Sequence, residues 1–145
     1  MESTISFLNL GSLQNVSYRK RKIEKNTLSL RRAIYKGNSV HAALTFGNED
    51  SAILGKANRM CMDLAVNNIT GEVFIVLSEK EGIKLQWHSP KKDLLSCSRL
   101  KIIETISKVI GVRGKEYKKI IKISENLSNE SEKIVYKVLS IDDAE

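Results

Sequence analysis

The chain has 145 residues, of which 41% are apolar and 28% charged, with a formal net charge of +7. That composition suits one soluble domain with a real core and excludes a disordered chain. No apolar run approaches the roughly 18 residues needed to span a bilayer, so no membrane role is expected.

The first predicted element is a short strand over Ile5 to Leu10, ended by Gly11-Ser12. No basic stretch precedes an apolar one at the N-terminus, so it does not read as a signal peptide, and the expected compartment is the cytoplasm. A second strand follows over Val16 to Lys22. Both of its faces are largely basic, which suits an edge or an exposed ribbon. Leu28 to Tyr35 alternates as a strand and also fits a helix stripe. The Gly37-Asn38 turn and the alternation of Val40, Ala42, Leu44 and Phe46 decide for a hairpin, with strands near 27–36 and 39–46.

A short helix is predicted near 49–57, with Asn48 as its cap and Ala52, Ile53 and Ala57 facing inward. Met60, Met62, Leu64 and Val66 alternate as a strand. Residues Asn67 to Gly71 form a turn, and Val73 to Leu77 is a continuous apolar strand of the kind found at a sheet centre. Ile83, Leu85 and Trp87 alternate once more, and these three strands should form an antiparallel meander. Ser89-Pro90 then breaks the sheet. A longer amphipathic helix is predicted near 94–110, carrying Leu95, Ile102, Ile103, Ile106, Val109 and Ile110 on one stripe. Asp93 or Ser96 would cap it and Gly111 would close it. Tyr117 to Ser124 and Ile134 to Ile141 are the last strands, followed by a frayed acidic tail. The fold class is therefore α+β: a mostly antiparallel twisted sheet, two helices and no βαβ periodicity, in a single domain.

The charge is lopsided. Arg19, Lys20, Arg21, Lys22, Lys25, Arg31, Arg32 and Lys36 face only Glu2 and Glu24 in the first 47 positions. Nearly all of the net charge sits there, and such an excess favours polyanions. The candidate nucleic-acid-binding residues are these eight cations with Tyr18 and Tyr35, and Trp87 as a further stacking surface. An acidic protein partner is the alternative, with the chain acting as an interaction module or inhibitor. A solvated edge strand is the bland reading.

Other chemistry finds little support. His41 and His88 lack the neighbours of a catalytic or metal site, so no enzyme, metal or cofactor is expected. No nucleotide-binding loop occurs. Gly111-Val112-Arg113-Gly114-Lys115 superficially suggests phosphate binding but follows a helix, which a helix end and a turn explain better. Cys61 and Cys97 read as reduced thiols, and Met60 and Met62 as core.

The order of strand, short helix and two strands, from Val40-His41-Ala42-Ala43-Leu44-Thr45-Phe46 through Ile83-Lys84-Leu85, resembles the swapped-hairpin layout of AbrB-type bacterial transition regulators. Here the helix would be Glu49 to Ala57 and the hairpin Arg59 to Leu77. The resemblance is one of layout over about a third of the chain. It implies a dimeric DNA-binding module, hence a homodimer. The small, Asn-, Lys- and Ile-rich composition is also similar to that of phage or mobile-element accessory proteins.

Overall fold

In the computed structural model the described residues are 24–88, 90–130 and 132–144. The strands expected at Ile5–Leu10 and Val16–Lys22, and with them Tyr18, Arg19, Lys20, Arg21 and Lys22, lie outside these. The described chain is α+β, with two helices and nine strands, and every strand pairing is antiparallel.

The expected hairpin forms from β1 (Thr27–Tyr35) and β2 (Ser39–Phe46). Tyr35 pairs with Ser39, which leaves Lys36, Gly37 and Asn38 as the loop, one residue longer than the turn predicted. Gly37 and Asn38 both hold positive φ, and the Asn38 N–H donates to the Tyr35 carbonyl at 3.1 Å. Leu28 and Leu30 of β1 and Ala42, Leu44 and Phe46 of β2 turn inward. That alternation is the one read from the sequence.

Helix α1 (Asn48–Lys56) follows, with Gly47 at its cap position and no side-chain cap. Its buried face is Asp50, Ser51 and Leu54, whereas Ala52, Ile53 and Ala57 are exposed, opposite to the expected orientation. Polar bonding explains the inversion. Ser51 Oγ accepts the Leu95 N–H at 2.9 Å, and Asp50 Oδ2 accepts the Asn26 N–H at 2.8 Å. The helix is therefore oriented by two polar anchors and one leucine. On its side, Gly55 lies under the Trp87 indole, where an added Cβ would sit 2.8 Å from the ring.

The remaining strands are β3 (Cys61–Val66), β4 (Val73–Ser78), β5 (Ile83–Lys84), β6 (Gln86–Trp87), β7 (Leu95–Cys97), β8 (Tyr117–Ile123) and β9 (Ile134–Asp143). They run in the order β5-β3-β4-β9-β8-β1-β2-β7-β6. Strand β4 is interior, as its apolar run implied. The meander is not formed: β5 pairs with β3 and not with β4. One short segment supplies both ends of the sheet, because Ile83–Lys84 pairs with β3 while Gln86–Trp87 pairs with β7. Leu85 joins them, fully buried, with its N–H donated to the Met60 carbonyl at 2.7 Å. The sheet is thus a nearly closed barrel whose seam is this segment, and closure removes the free edges of an open sheet.

Leu95 belongs to β7 and not to the second helix. β7 covers the flank of β2, with Leu44 opposite Cys97 and Thr45 opposite Ser96. Helix α2 accordingly spans only Leu100–Ile110, with Arg99 at the cap position, and neither Asp93 nor Ser96 caps it. Gly111 ends it in the left-handed conformation, φ 83°, as expected. Its Ile103 and Ile106 are buried, and it packs against β2. The tail is not frayed up to Asp143: β9 runs through it, and Lys119 is ion-paired with Asp143.

Asp50 is 1% exposed, and its Oδ1 has no hydrogen-bond partner among the described residues. Burial pushes its carboxyl above the usual range, against the smaller opposing effects of the Asn26 N–H and Lys25. Nearby Tyr136 is pushed up to about 12, chiefly by its own burial and secondarily by the charge of Asp50. A carboxyl raised in the folded state binds its proton more tightly there than in the unfolded chain. Its contribution to stability is full below the unfolded value and falls as pH rises through the folded one. Asp50→Asn keeps an oxygen for the Asn26 N–H and has no charge. The stability of D50N relative to wild type is expected to improve as pH rises from about 4 to about 7.5. Each tenfold difference in proton affinity between the folded and unfolded chain is worth about 1.4 kcal/mol of that improvement. Urea unfolding at both pH values measures this, and a pH-independent difference contradicts it.

Candidate nucleic-acid interface

Strand alternation sends neighbouring residues of β1 to opposite sides. Leu28 and Leu30 point into the core, so Ser29, Arg31, Ala33 and Tyr35 lie on the outer face. Arg31 pairs directly with Lys118 of β8 on that face, and both are exposed. Lys122 lies two outward positions further along β8, beyond Ile120. On the other side of β1, Ala43 stands opposite Arg31 and His41 opposite Ala33. The floor between Arg31 and the hairpin end is therefore made of the small Ala33 and Ala43, while Ile120 separates the two lysines. At the hairpin end the Tyr35 and His41 rings meet edge to face, with centroids 4.9 Å apart.

Like charges directly opposite on a sheet face destabilise the pairing. Arg31, Lys118 and Lys122 make no ion pair among the described residues. Asp142 adjoins this face, paired with Ile120 from β9. The outer face of β8-β1-β2 is thus a net-positive surface whose cations are exposed, with two aromatic rings at one end.

Arg32 points the other way. Its guanidinium donates to the Lys115 carbonyl, and Glu116 accepts the Ile34 N–H at 3.1 Å. These bonds tie β1 to the loop after α2. A cleft of about 740 Å³ opens there between α2, the loop and the ends of β1 and β8. Arg32, Lys101, Lys108, Arg113 and Lys115 line it, with Glu104 as the carboxylate among them. Ser107 and Tyr117 share a 2.5 Å hydrogen bond at its wall.

The residues singled out in the sequence are only partly brought together. Arg31 and Tyr35 share the outer face, and Arg32 serves the cleft. Lys36 sits in the hairpin loop. Lys25 precedes the other end of β1, next to Asp50, and so lies eleven residues, or roughly 36 Å of extended strand, from Lys36. The described half of the expected ribbon is not a free ribbon: β1 and β2 are built into the middle of the sheet, between β8 and β7. Trp87 is half-buried over Gly55 and is not a free stacking surface. Lys118, Lys122 and the lysines and arginine of the cleft were missed: residues 99–123 hold eight cations against Glu104 and Glu116, an excess that the acidic residues 124–145 largely cancel in a sum over the rest of the chain. The alternation of Lys118 and Lys122 against Ile121 and Ile123 was the available signal.

His41 and His88 are exposed, and among the described residues no three His, Cys, Asp or Glu side chains group as metal ligands. Cys61 and Cys97 are buried free thiols, and Met62 belongs to the core with Met60 packed on it. No helix among the described residues is long and apolar enough to cross a membrane. No family model, curated protein or solved structure matches the chain.

Proposed function

We propose that this is a non-enzymatic nucleic-acid-binding protein, and that the outer face of β8-β1-β2 receives the ligand. The observation that carries this reading is the direct opposition of Arg31 and Lys118. Two exposed cations held side by side with no ion pair among the described residues cost stability, and a phosphate backbone laid across them offsets that cost. Lys122 extends the row along β8. Tyr35 and His41 offer π-faces to bases, and Ser29, Ala33 and Ala43 leave room for a strand to lie flat. In this reading Arg19, Lys20, Arg21 and Lys22, a few residues before β1 in the chain, add charge for the same ligand.

The test is a gel-shift panel of single- and double-stranded DNA and RNA at about 150 mM salt, where the screening length is near 8 Å. Binding by at least one of the four is expected. If none shifts, while an acidic protein partner is retained on the immobilised chain, the interaction-module reading replaces this one. A second expectation concerns the basic run: replacing Arg19 through Lys22 with glutamine should weaken binding at least about tenfold, since each lost phosphate contact releases fewer counterions. Unchanged affinity would remove that run from the site.

A further inference from the structure

The cleft beside α2 differs from the sheet face in shape and in charge density. Lys101 and Lys108 stand seven residues apart on α2, about 10 Å along its axis, on the side facing the loop. Arg113 and Lys115 approach from the loop, and Arg32 closes the end while holding that loop through the Lys115 carbonyl. Gly114, at φ 116°, makes the turn that returns the chain between Arg113 and Lys115. None of the five cations makes an ion pair among the described residues. Glu104 stands between Lys101 and Lys108 on the helix and leaves a large positive excess.

The C-terminal end of α2 points toward this loop and carries negative partial charge, which by itself disfavours an anion. Five side-chain charges outweigh that half-charge. The volume is that of a small-ligand site, not of a duplex groove. Its apolar wall amounts to buried Val112 and half-buried Tyr117, whose hydroxyl is already bonded to Ser107. There is no open aromatic floor for a base. A ligand that fits must concentrate several negative charges in a small volume and needs little apolar burial.

We propose that this cleft is a polyphosphate site, taking a linear chain of two or three phosphates either as an inorganic anion or as the tail of a nucleotide. A phosphodiester strand carries one charge per nucleotide and would satisfy few of these cations at once. A triphosphate brings three or four charges within reach of all five. Arg32 offers the guanidinium N–H groups left over from its bond to Lys115, and the lysines act as point charges. The site is independent of the sheet-face reading, since it uses none of Arg31, Lys118 or Lys122.

Calorimetric titration of the full chain with sodium tripolyphosphate, ATP and orthophosphate at about 150 mM chloride tests it. Saturable binding of tripolyphosphate at one site is expected, at least about tenfold tighter than orthophosphate. ATP of similar or greater affinity assigns the ligand to nucleotides, and markedly weaker ATP assigns it to inorganic chains. The exposed pair Lys108→Ala and Arg113→Ala should weaken binding about tenfold or more with unchanged circular dichroism, and Lys101→Glu should do the same. Lys118→Gln with Lys122→Gln should leave it unchanged. The proposal is overturned if tripolyphosphate gives no saturable heat, if ATP binds and tripolyphosphate does not, or if the two variant pairs weaken binding equally. Displacement of tripolyphosphate by a short oligonucleotide overturns it as well, because the cleft would then be part of the nucleic-acid path.

Discussion

Gly82→Ala is expected to destabilise the protein more than any other single-methyl addition. Gly82 has φ 100°, and a Cβ there would lie 2.1 Å from the Met62 carbonyl oxygen and 2.6 Å from its carbon. Those atoms are backbone of β3, so no rotamer change relieves the clash. The strained φ alone costs about 1–3 kcal/mol in an L-residue, and overpacking against a fixed strand adds a similar amount. Residue 82 also leads directly into Ile83–Lys84, which pairs with β3 one residue later. Displacing it pulls on the seam that joins the two ends of the sheet through Leu85. A loss of about 3 kcal/mol or more is expected, or about 6–12 °C in Tm for a chain of this size. Gly71→Ala is the control. Gly71 has φ 79° but nothing within 4 Å of the added atom, so it isolates the backbone cost, near 1 kcal/mol. Equal melting temperatures for the two variants would contradict the closure described above.

That closure was not legible in the sequence, for a reason that lies in the alternation itself. Ile83, Leu85 and Trp87 alternate identically whether they form one strand beside β4 or divide between β3 and β7. Period two reports which face is buried and is silent on the neighbour. Leu95 shows a related ambiguity. It stands seven residues before Ile102, which fits a helix stripe, yet Leu95 and Cys97 also fit a strand, and the flank of β2 takes them. For α1 the apolar stripe points to the wrong face, because Asp50 and Ser51 anchor the helix by hydrogen bonds. By contrast, Gly37-Asn38 located the β1–β2 hairpin through its positive-φ requirement, and Gly111 located the end of α2 in the same way.

The site divides similarly. A charge count along the chain finds cations that are neighbours in sequence, and it named Arg31 and Arg32. It does not show that Arg31 and Arg32 serve opposite sides of one strand. Nor does it join Lys118 to Arg31, which lie far apart in the chain and side by side in the sheet. The cleft draws its cations from β1, α2 and a loop, so only the fold assembles them.

Arg31→Gln is expected to weaken nucleic-acid binding and to leave the fold as stable or more stable. Removing one of two directly opposed cations relieves repulsion of about 0.2–1 kcal/mol, while the strand keeps every backbone bond. Binding loses one phosphate contact. The triple change of Arg31, Lys118 and Lys122 to glutamine should lower affinity for the preferred nucleic acid by about 10–100-fold at moderate salt, with Tm unchanged or raised. Opposite signs for binding and stability mark charges kept for a ligand. If the triple variant binds as the wild type does, or if it unfolds, these residues serve the fold and not a ligand.

The salt dependence of oligonucleotide affinity tests the central claim most directly. Each phosphate neutralised contributes about 0.7 to the slope of log K against log salt for a single strand, and about 0.9 for a duplex. The slope of the Arg31, Lys118 and Lys122 triple variant is therefore predicted to be shallower than that of the wild type by about 2 to 3. Equal slopes for the two proteins would contradict the placement of nucleic acid on the outer face of β8-β1-β2.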